Sequence, residues 1–339
     1  MRRSLFVALA LCAAPGYERF STRQELAFTP EEGLELTETY ERRYLLELVD
    51  ISSVVVIDDE EHQRELGDVE GTISSVKNVE FTDEYIAVDG DRPTEVRRTY
   101  DAISTELIEA HREGDGDSVV SEKTGASELE ELSVVFTWDD DAEEYGAEYD
   151  GEEADEDLLD ELEIGSVLAR FLSDDEVEEG DSWEVDVDAF NKLSAPGGYL
   201  AILTEGEDED EDRDSSRQIA DNLEGDIVAT FDGLREVDGE EFAVVLLTLE
   251  LVTEAEREGE LEEQDGVERR TGETAAFEFE LEGELLWDVA AGLPRSLQLE
   301  GDMSITIVSR QAISAPRGEL EIVQTREYEG VLTYEVSVE

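Results

Sequence analysis

The amino-acid sequence predicts a mainly β protein of two curved antiparallel sheets, with one amphipathic helix at about 155–172 packed on the first. Apolar and polar residues alternate along lengthy segments, the period-2 pattern of a strand with one face on a core and one in water. Turn residues separate these segments, and only one stretch carries a convincing helical stripe. The 339 residues, 39% hydrophobic with 6 prolines, are long for one core. Two domains are expected, 17–204 and 216–339, joined by an acidic linker or loop at 205–215.

The chain begins Met1-Arg2-Arg3, continues with the apolar run Leu5 to Leu11 and reaches small residues at Cys12 to Ala14. This order predicts a signal peptide over 1–14 and export to a periplasmic, cell-surface or extracellular location; a buried first strand is the other reading. The run is too short to cross a bilayer, and no other segment approaches the roughly twenty apolar residues needed. Cys12 is the sole cysteine, which leaves no intrachain disulfide. Leu9-Ala10-Leu11-Cys12 resembles a bacterial lipoprotein signal, although Leu11 stands where that pattern has a small residue, and a lipid anchor at Cys12 is the alternative to a freely exported chain.

Strands are expected near Glu25 to Thr29, Leu34 to Asp50, Ile73 to Val88, Thr94 to Tyr100, Leu132 to Trp138 and Tyr145 to Tyr149, with Tyr100 to Arg112 open between strand and helix. From Asp155 to Leu172, Leu158, Leu159, Leu162, Val167, Leu168, Phe171 and Leu172 form a helical stripe. Acids at its start and Arg170 near its end suit the helix dipole, and Gly165 is its weak point. The acidic run from Glu205 to Asp214 has nothing to bury, hence the linker. Ile227 to Val237 and Phe242 to Val252 flank Asp238-Gly239, a strong hairpin signal. Phe277, Phe279, Leu281, Leu285 and Trp287 alternate with glutamates, and after the Ala291 to Pro294 turn Leu297, Leu299, Met303, Ile305 and Ile307 carry the pattern back. Leu332 to Val338 closes the chain. Tyr85 to Val96 and Trp287 to Leu297 share an order of aromatic, valine, glycine, proline and returning strand, which raises a duplicated sheet module as a hypothesis.

Charge narrows the partners. With 95 Asp and Glu against 25 Lys and Arg, the formal charge is −70, which repels nucleic acid and anionic lipid. All basic residues except Lys77, Lys123 and Lys192 are arginine. Such a surface fits high salt or a crowded envelope, or else Ca²⁺ or a cationic partner.

No catalytic, metal or cofactor residue is assigned. His62 and His111 stand outside any ligand cluster. Gly180-Asp181-Ser182-Trp183 resembles the nucleophile block of GDS-type serine hydrolases, which implies a late histidine that this chain lacks after His111. Val177-Glu178-Glu179-Gly180-Asp181-Ser182-Trp183 resembles a segment of uncharacterised exported bacterial β-rich families and implies no activity. Asp141 to Glu152 has the acid spacing of a calcium loop, but Tyr145 takes a ligand place and the flanks alternate as strands. Paired carboxylates serve glycosidases, yet among so many a fitting pair carries little information. Trp138, Trp183 and Trp287 continue apolar faces and read as core before sugar platforms. The pattern of sheets and helix resembles the half-barrels of bacterial lipoprotein-carrier proteins, which implies a concave face able to hold an apolar ligand. The expectation is therefore a non-enzymatic envelope binding or structural protein, with Phe277, Phe279, Trp287 and Leu297 lining an apolar ligand face. The alternatives are a Ca²⁺-dependent surface module and a carboxylate-based hydrolase.

Overall fold

The computed structural model describes residues 23–339 apart from 58–59, 65, 67–68, 91, 115, 152–153, 205–208, 238, 265–266 and 316–317. The expected signal peptide and Cys12 lie outside the described residues. The strands are β1 (Glu35–Ile57), β2 (Glu60–Gln63), β3 (Val69–Asp89), β4 (Arg92–Glu113), β5 (Val119–Ala126), β6 (Ser133–Asp139), β7 (Glu144–Tyr149), β8 (Ser182–Val185), β9 (Leu203–Thr204), β10 (Glu224–Val237), β11 (Glu240–Gln264), β12 (Val267–Asp288), β13 (Leu293–Ala315) and β14 (Gly318–Val338). The helices are α1 (Asp188–Ser194) and α2 (Glu209–Asp221).

These strands form one open antiparallel sheet, in the order β7-β6-β4-β3-β1-β14-β13-β12-β11-β10-β8. The expected two sheets are thus corrected to one. Alternation along a strand fixes which face is buried but not which strand lies beside it, and here the first long strand pairs with the last, from Glu38 opposite Val338 to Ile57 opposite Leu320. That pairing removes the two exposed edges that separate sheets would present. At roughly 3.3 Å per residue, the 25-residue β11 is long enough to coil strongly with the sheet's twist. At Gly301 the backbones of β12 and β13 approach so closely that a Cβ would overlap the Glu280 carbonyl.

The alternating hairpins appear as read: Val237 faces Glu240 across the β10–β11 turn, and Asp288 faces Leu293 across the β12–β13 turn. Tyr100 to Arg112 belongs to β4. The Glu25 to Thr29 segment is not a strand; it straps the sheet ends instead, with Thr29 N–H donating to the Gly292 carbonyl (3.0 Å) and Phe28 wedged between Tyr85 and Trp287. The two hairpins compared in the duplication hypothesis run in the same order across the sheet: in β3–β4 as in β12–β13, the trailing strand lies on the β7 side of the leading one.

The stretch between β7 and β10 crosses the inner face of the sheet. The helix expected at 155–172 is two short 3-10 turns, Glu156–Leu159 and Leu168–Phe171. Glu161 at φ 64° and Gly165 at φ 121° interrupt it in the left-handed region, so the apolar stripe is divided between two anchoring points, with Leu158 and Phe171 both in the core. Helix appears where the acidic linker or loop was expected: Glu209–Asp221 is α2, docked on β11 through Thr253 Oγ1 donating to the Ile219 carbonyl at 2.7 Å. Tertiary contact, more than propensity, holds this charged helix. In α1, Phe190 packs 5.4 Å from Phe279 and 5.6 Å from Tyr334, so the crossing segment itself covers much of the sheet's inner face.

Candidate functional site

Register sets the inner faces of β1, β3 and β4 in rows. Leu36, Asp83 and Arg98 share one row; Glu38, Phe81 and Tyr100 the next; Tyr40, Val79 and Ile103 the third; Arg42, Lys77 and Thr105 the fourth. Charged side chains therefore occupy the core-facing phase of three strands, where burial demands a partner for each.

In the first row the demand is met. Arg98 is 1% exposed and Asp83 0%, and Arg98 Nε and Nη2 donate to the two Asp83 carboxylate oxygens, both at 2.7 Å. The guanidinium also lies 3.6 Å from the Phe81 ring centre, and its Nη1 donates to the Glu163 carbonyl at 3.0 Å. Arg98 thus ties the crossing segment to the sheet. In the second row Glu38 is buried, with Oε2 accepting from the Tyr40 hydroxyl at 2.5 Å and Oε1 without a partner. Burial, and then the Asp83 charge, push its carboxyl up from 4.5 to about 7 against the pull of Tyr40 and Arg98.

In the fourth row the crossing segment bridges the sheet without filling it. A cleft of about 640 Å³ lies between the β1–β3–β4 face and the 161–163 turn, α1 and α2. Arg42, Lys77, Lys192, Arg213 and Arg217 line it against Glu161, Glu163 and Asp212. Cations outnumber carboxylates here, in a chain with 95 acids and 25 bases. Three of the cations are engaged. Lys192 Nζ donates to Glu163 Oε1 at 2.6 Å, Arg217 pairs with Glu161, and Arg213 Nη2 donates to Glu209 Oε1 at 3.1 Å while its guanidinium covers Tyr199.

Arg42 and Lys77 differ. They are direct cross-strand neighbours, and among the described residues neither makes an ion pair. Arg42 Nε is buried without a hydrogen-bond partner, and Lys77 Nζ makes one long hydrogen bond, 3.4 Å to the Ser194 carbonyl. Burial, and then the Arg42 charge, push the Lys77 ammonium down from 10.5 to about 7, with Asp212 opposing. Native Lys77 therefore releases its proton at lower pH than in the unfolded chain, and its stability cost grows as pH falls from 10.5 through about 7. Like charges directly opposite one another are destabilising by a few tenths of a kcal/mol. Arg42→Met is accordingly expected to raise unfolding free energy in urea at pH 7 by about 0.5 kcal/mol; a clear loss of stability would show that the cation is a structural element.

The remaining walls are apolar or neutral, from Tyr44, Leu107, Ile202 and Ile219. Gly198 closes one side at φ 93°, and a Cβ there would overlap the Glu161 carbonyl. Any larger residue would push apart the Leu162–Gly198 bridge that frames the cleft. The arrangement offers two half-buried positive groups beside an apolar wall, a combination that accepts an anion carrying an apolar portion.

The residues expected to line an apolar ligand face stand elsewhere. Trp287 and Leu297 are fully buried on β12 and β13, Phe279 is buried under Phe190, and Phe277 is half-buried and stacked on Phe279 at 6.3 Å. His62 and His111 are exposed near the far ends of β2 and β4. Ser182 opens β8 and bonds Thr230 Oγ1 at 2.8 Å, and Trp183 donates to the Phe171 carbonyl at 3.1 Å. Asp141 to Glu143 form the tight β6–β7 turn, and Trp138 there lies under Arg92 at 4.3 Å. Among the described residues no group of three or more His, Cys, Asp or Glu is arranged to hold a metal ion, and no helix is long and apolar enough to cross a membrane.

No family model matches the chain, and no curated protein matches it. Among solved structures, the Pseudomonas aeruginosa OccK7 (OpdD) crystal structure is 9% identical, covers 88% of this chain and 99% of its own, and has a TM-score of 0.14, a likeness that carries no argument about fold or function.

Proposed function

We propose that this is an exported, non-enzymatic binding protein whose ligand is an anionic small molecule with an apolar portion, held in the cleft between the β1–β3–β4 face and α1–α2. The observation that carries the reading is the Arg42–Lys77 pair, two adjacent half-buried cations that have no carboxylate ion-pair partner among the described residues, in a chain of net charge −70. An acidic protein has abundant means of neutralising such a pair from its own side chains. Leaving it open costs stability and supplies countercharge to a ligand. Binding of an apolar molecule moves, in this reading, from the covered Phe277 to Leu297 region to the open walls at Tyr44, Leu107 and Ile202.

Long-range repulsion from the acidic surface is screened over about 8 Å at 0.15 M salt, whereas the half-buried pair is screened less, so binding is best measured at that ionic strength or above. The test uses the anionic amphiphile 8-anilinonaphthalene-1-sulfonate, followed by fluorescence. One saturable site is expected, with Kd raised at least tenfold by Arg42→Met and by Lys77→Met and left alone by Lys123→Met on exposed β5. Equal affinity in all four proteins would dispose of the cleft as the binding site.

A further inference from the structure

Lys77 is placed unlike the other lysines. Lys192 is committed to Glu163 at 2.6 Å and lies 3.9 Å from Asp188, and Lys123 is exposed on β5. The Lys77 amine lines the cleft, has no carboxylate within ion-pair distance among the described residues, and has a permanent cation as its cross-strand neighbour. A lysine desolvated beside a second cation is the arrangement that makes an amine nucleophilic at neutral pH.

We infer that Lys77 captures an anionic carbonyl compound as a reversible imine, with Arg42 holding the compound's carboxylate or phosphate group. The inference rests on the anion-binding reading of the cleft and names the chemical class of its ligand. The neutral amine adds its lone pair to the carbonyl carbon. An N–C bond forms, the C–O bond breaks, and the carbonyl oxygen leaves as water with the two amine hydrogens. No oxidant or reductant takes part, and hydrolysis restores lysine and carbonyl compound.

The step needs free amine. An ordinary lysine offers roughly one neutral amine in several thousand at pH 7, whereas a group titrating at about 7 is half neutral there. The charges bearing on it come from every element around the cleft. Arg42 on β1 favours the neutral form and Asp212 on α2 opposes it. Lys192 on α1, Arg213 and Arg217 on α2, and Glu161 and Glu163 on the turn are the other charged groups that line the cleft. Thr105 on β4 and the Ser194 carbonyl add no net charge. Arg42 thus acts twice, by holding the anion and by disfavouring a second positive charge.

The experiment treats the full chain with pyridoxal 5′-phosphate, an anionic aldehyde, at 0.15 M salt across pH 6–9, reduces the imine with borohydride, and quantifies each lysine by peptide mass spectrometry. Labelling of Lys77 at pH 7 is expected to exceed that of Lys123 and Lys192 at least tenfold, with a midpoint near pH 7. Arg42→Met is expected to lower it at least tenfold at limiting aldehyde and to move the midpoint upward. Labelling of Lys77 no greater than that of Lys123 would overturn the imine chemistry. If the naphthalene sulfonate still binds and Arg42→Met still weakens it, only the imine falls. If neither probe engages the cleft, the anion-binding reading falls with it. Labelling that ignores Arg42 would remove that residue's part and the anionic character of the ligand.

Discussion

Arg98→Met is expected to cost about 3–5 kcal/mol of unfolding free energy at pH 7, the cost of leaving one member of a buried ion pair alone. Both side chains are within 1% of complete burial, and the paired oxygens of Asp83 have no water to replace the two 2.7 Å bonds they lose. Methionine fills the space over Phe81 but supplies no charge. The substitution also frees the Glu163 carbonyl and with it the turn that frames the cleft, so weaker binding of the naphthalene sulfonate accompanies the loss. Urea unfolding gives the number. If Arg98→Met does not fold, the double variant Asp83→Leu/Arg98→Met provides the reading, since replacing both members by apolar residues is often close to neutral. A single variant losing less than about 1 kcal/mol, or a double variant as unstable as the single, would refute this account of the pair.

Glu38→Gln is expected to do little at pH 4.5 and to stabilise the protein by about 3 kcal/mol at pH 8. The native carboxyl titrates at about 7, raised by burial and then by the Asp83 charge, against an ordinary value of 4.5. A carboxyl raised on folding contributes stability fully below the unfolded value, and that contribution is lost as pH rises through the folded one. The gap between 4.5 and about 7, at roughly 1.4 kcal/mol per pH unit, gives the magnitude. Glutamine keeps an acceptor for the Tyr40 hydroxyl and cannot ionise, so the difference between the two proteins isolates Glu38 from the general titration of the acidic surface. Urea unfolding at pH 4.5, 6, 7 and 8 checks it, and a difference constant across that range would mean that Glu38 is not protonated in the native state.

The residues behind these effects were legible in the sequence as breaks in phase. Arg42 falls between Tyr40 and Tyr44, Lys77 between Ser75 and Val79, Asp83 between Phe81 and Tyr85, and Arg98 between Val96 and Tyr100, each on the side of its strand that carries apolar neighbours. A charged residue at a core-facing position must be paired or functional. What the alternation could not show is which were which. Arg98 finds Asp83 and Arg42 finds Lys77 only through the register of β1, β3 and β4, and register is a tertiary choice. The alternation with glutamates turns Phe277, Phe279, Trp287 and Leu297 toward the inner face, and they are inward. Their cover came from Phe28 and Phe190, at 259 and 89 residues' remove from Trp287 and Phe279, beyond any local pattern.

By itself the sequence determined that long strands dominate, which side of each is wet, and where the principal hairpins turn, because those follow from side-chain alternation and backbone chemistry within a few residues. Only the tertiary structure decided that β1 closes on β14 to make one sheet, that the stripe at 155–172 divides into two turns, and that an acidic run becomes a helix. Each of these depends on partners distant in the chain, whose contacts repay the cost of bringing them together only when the sheet is already in place.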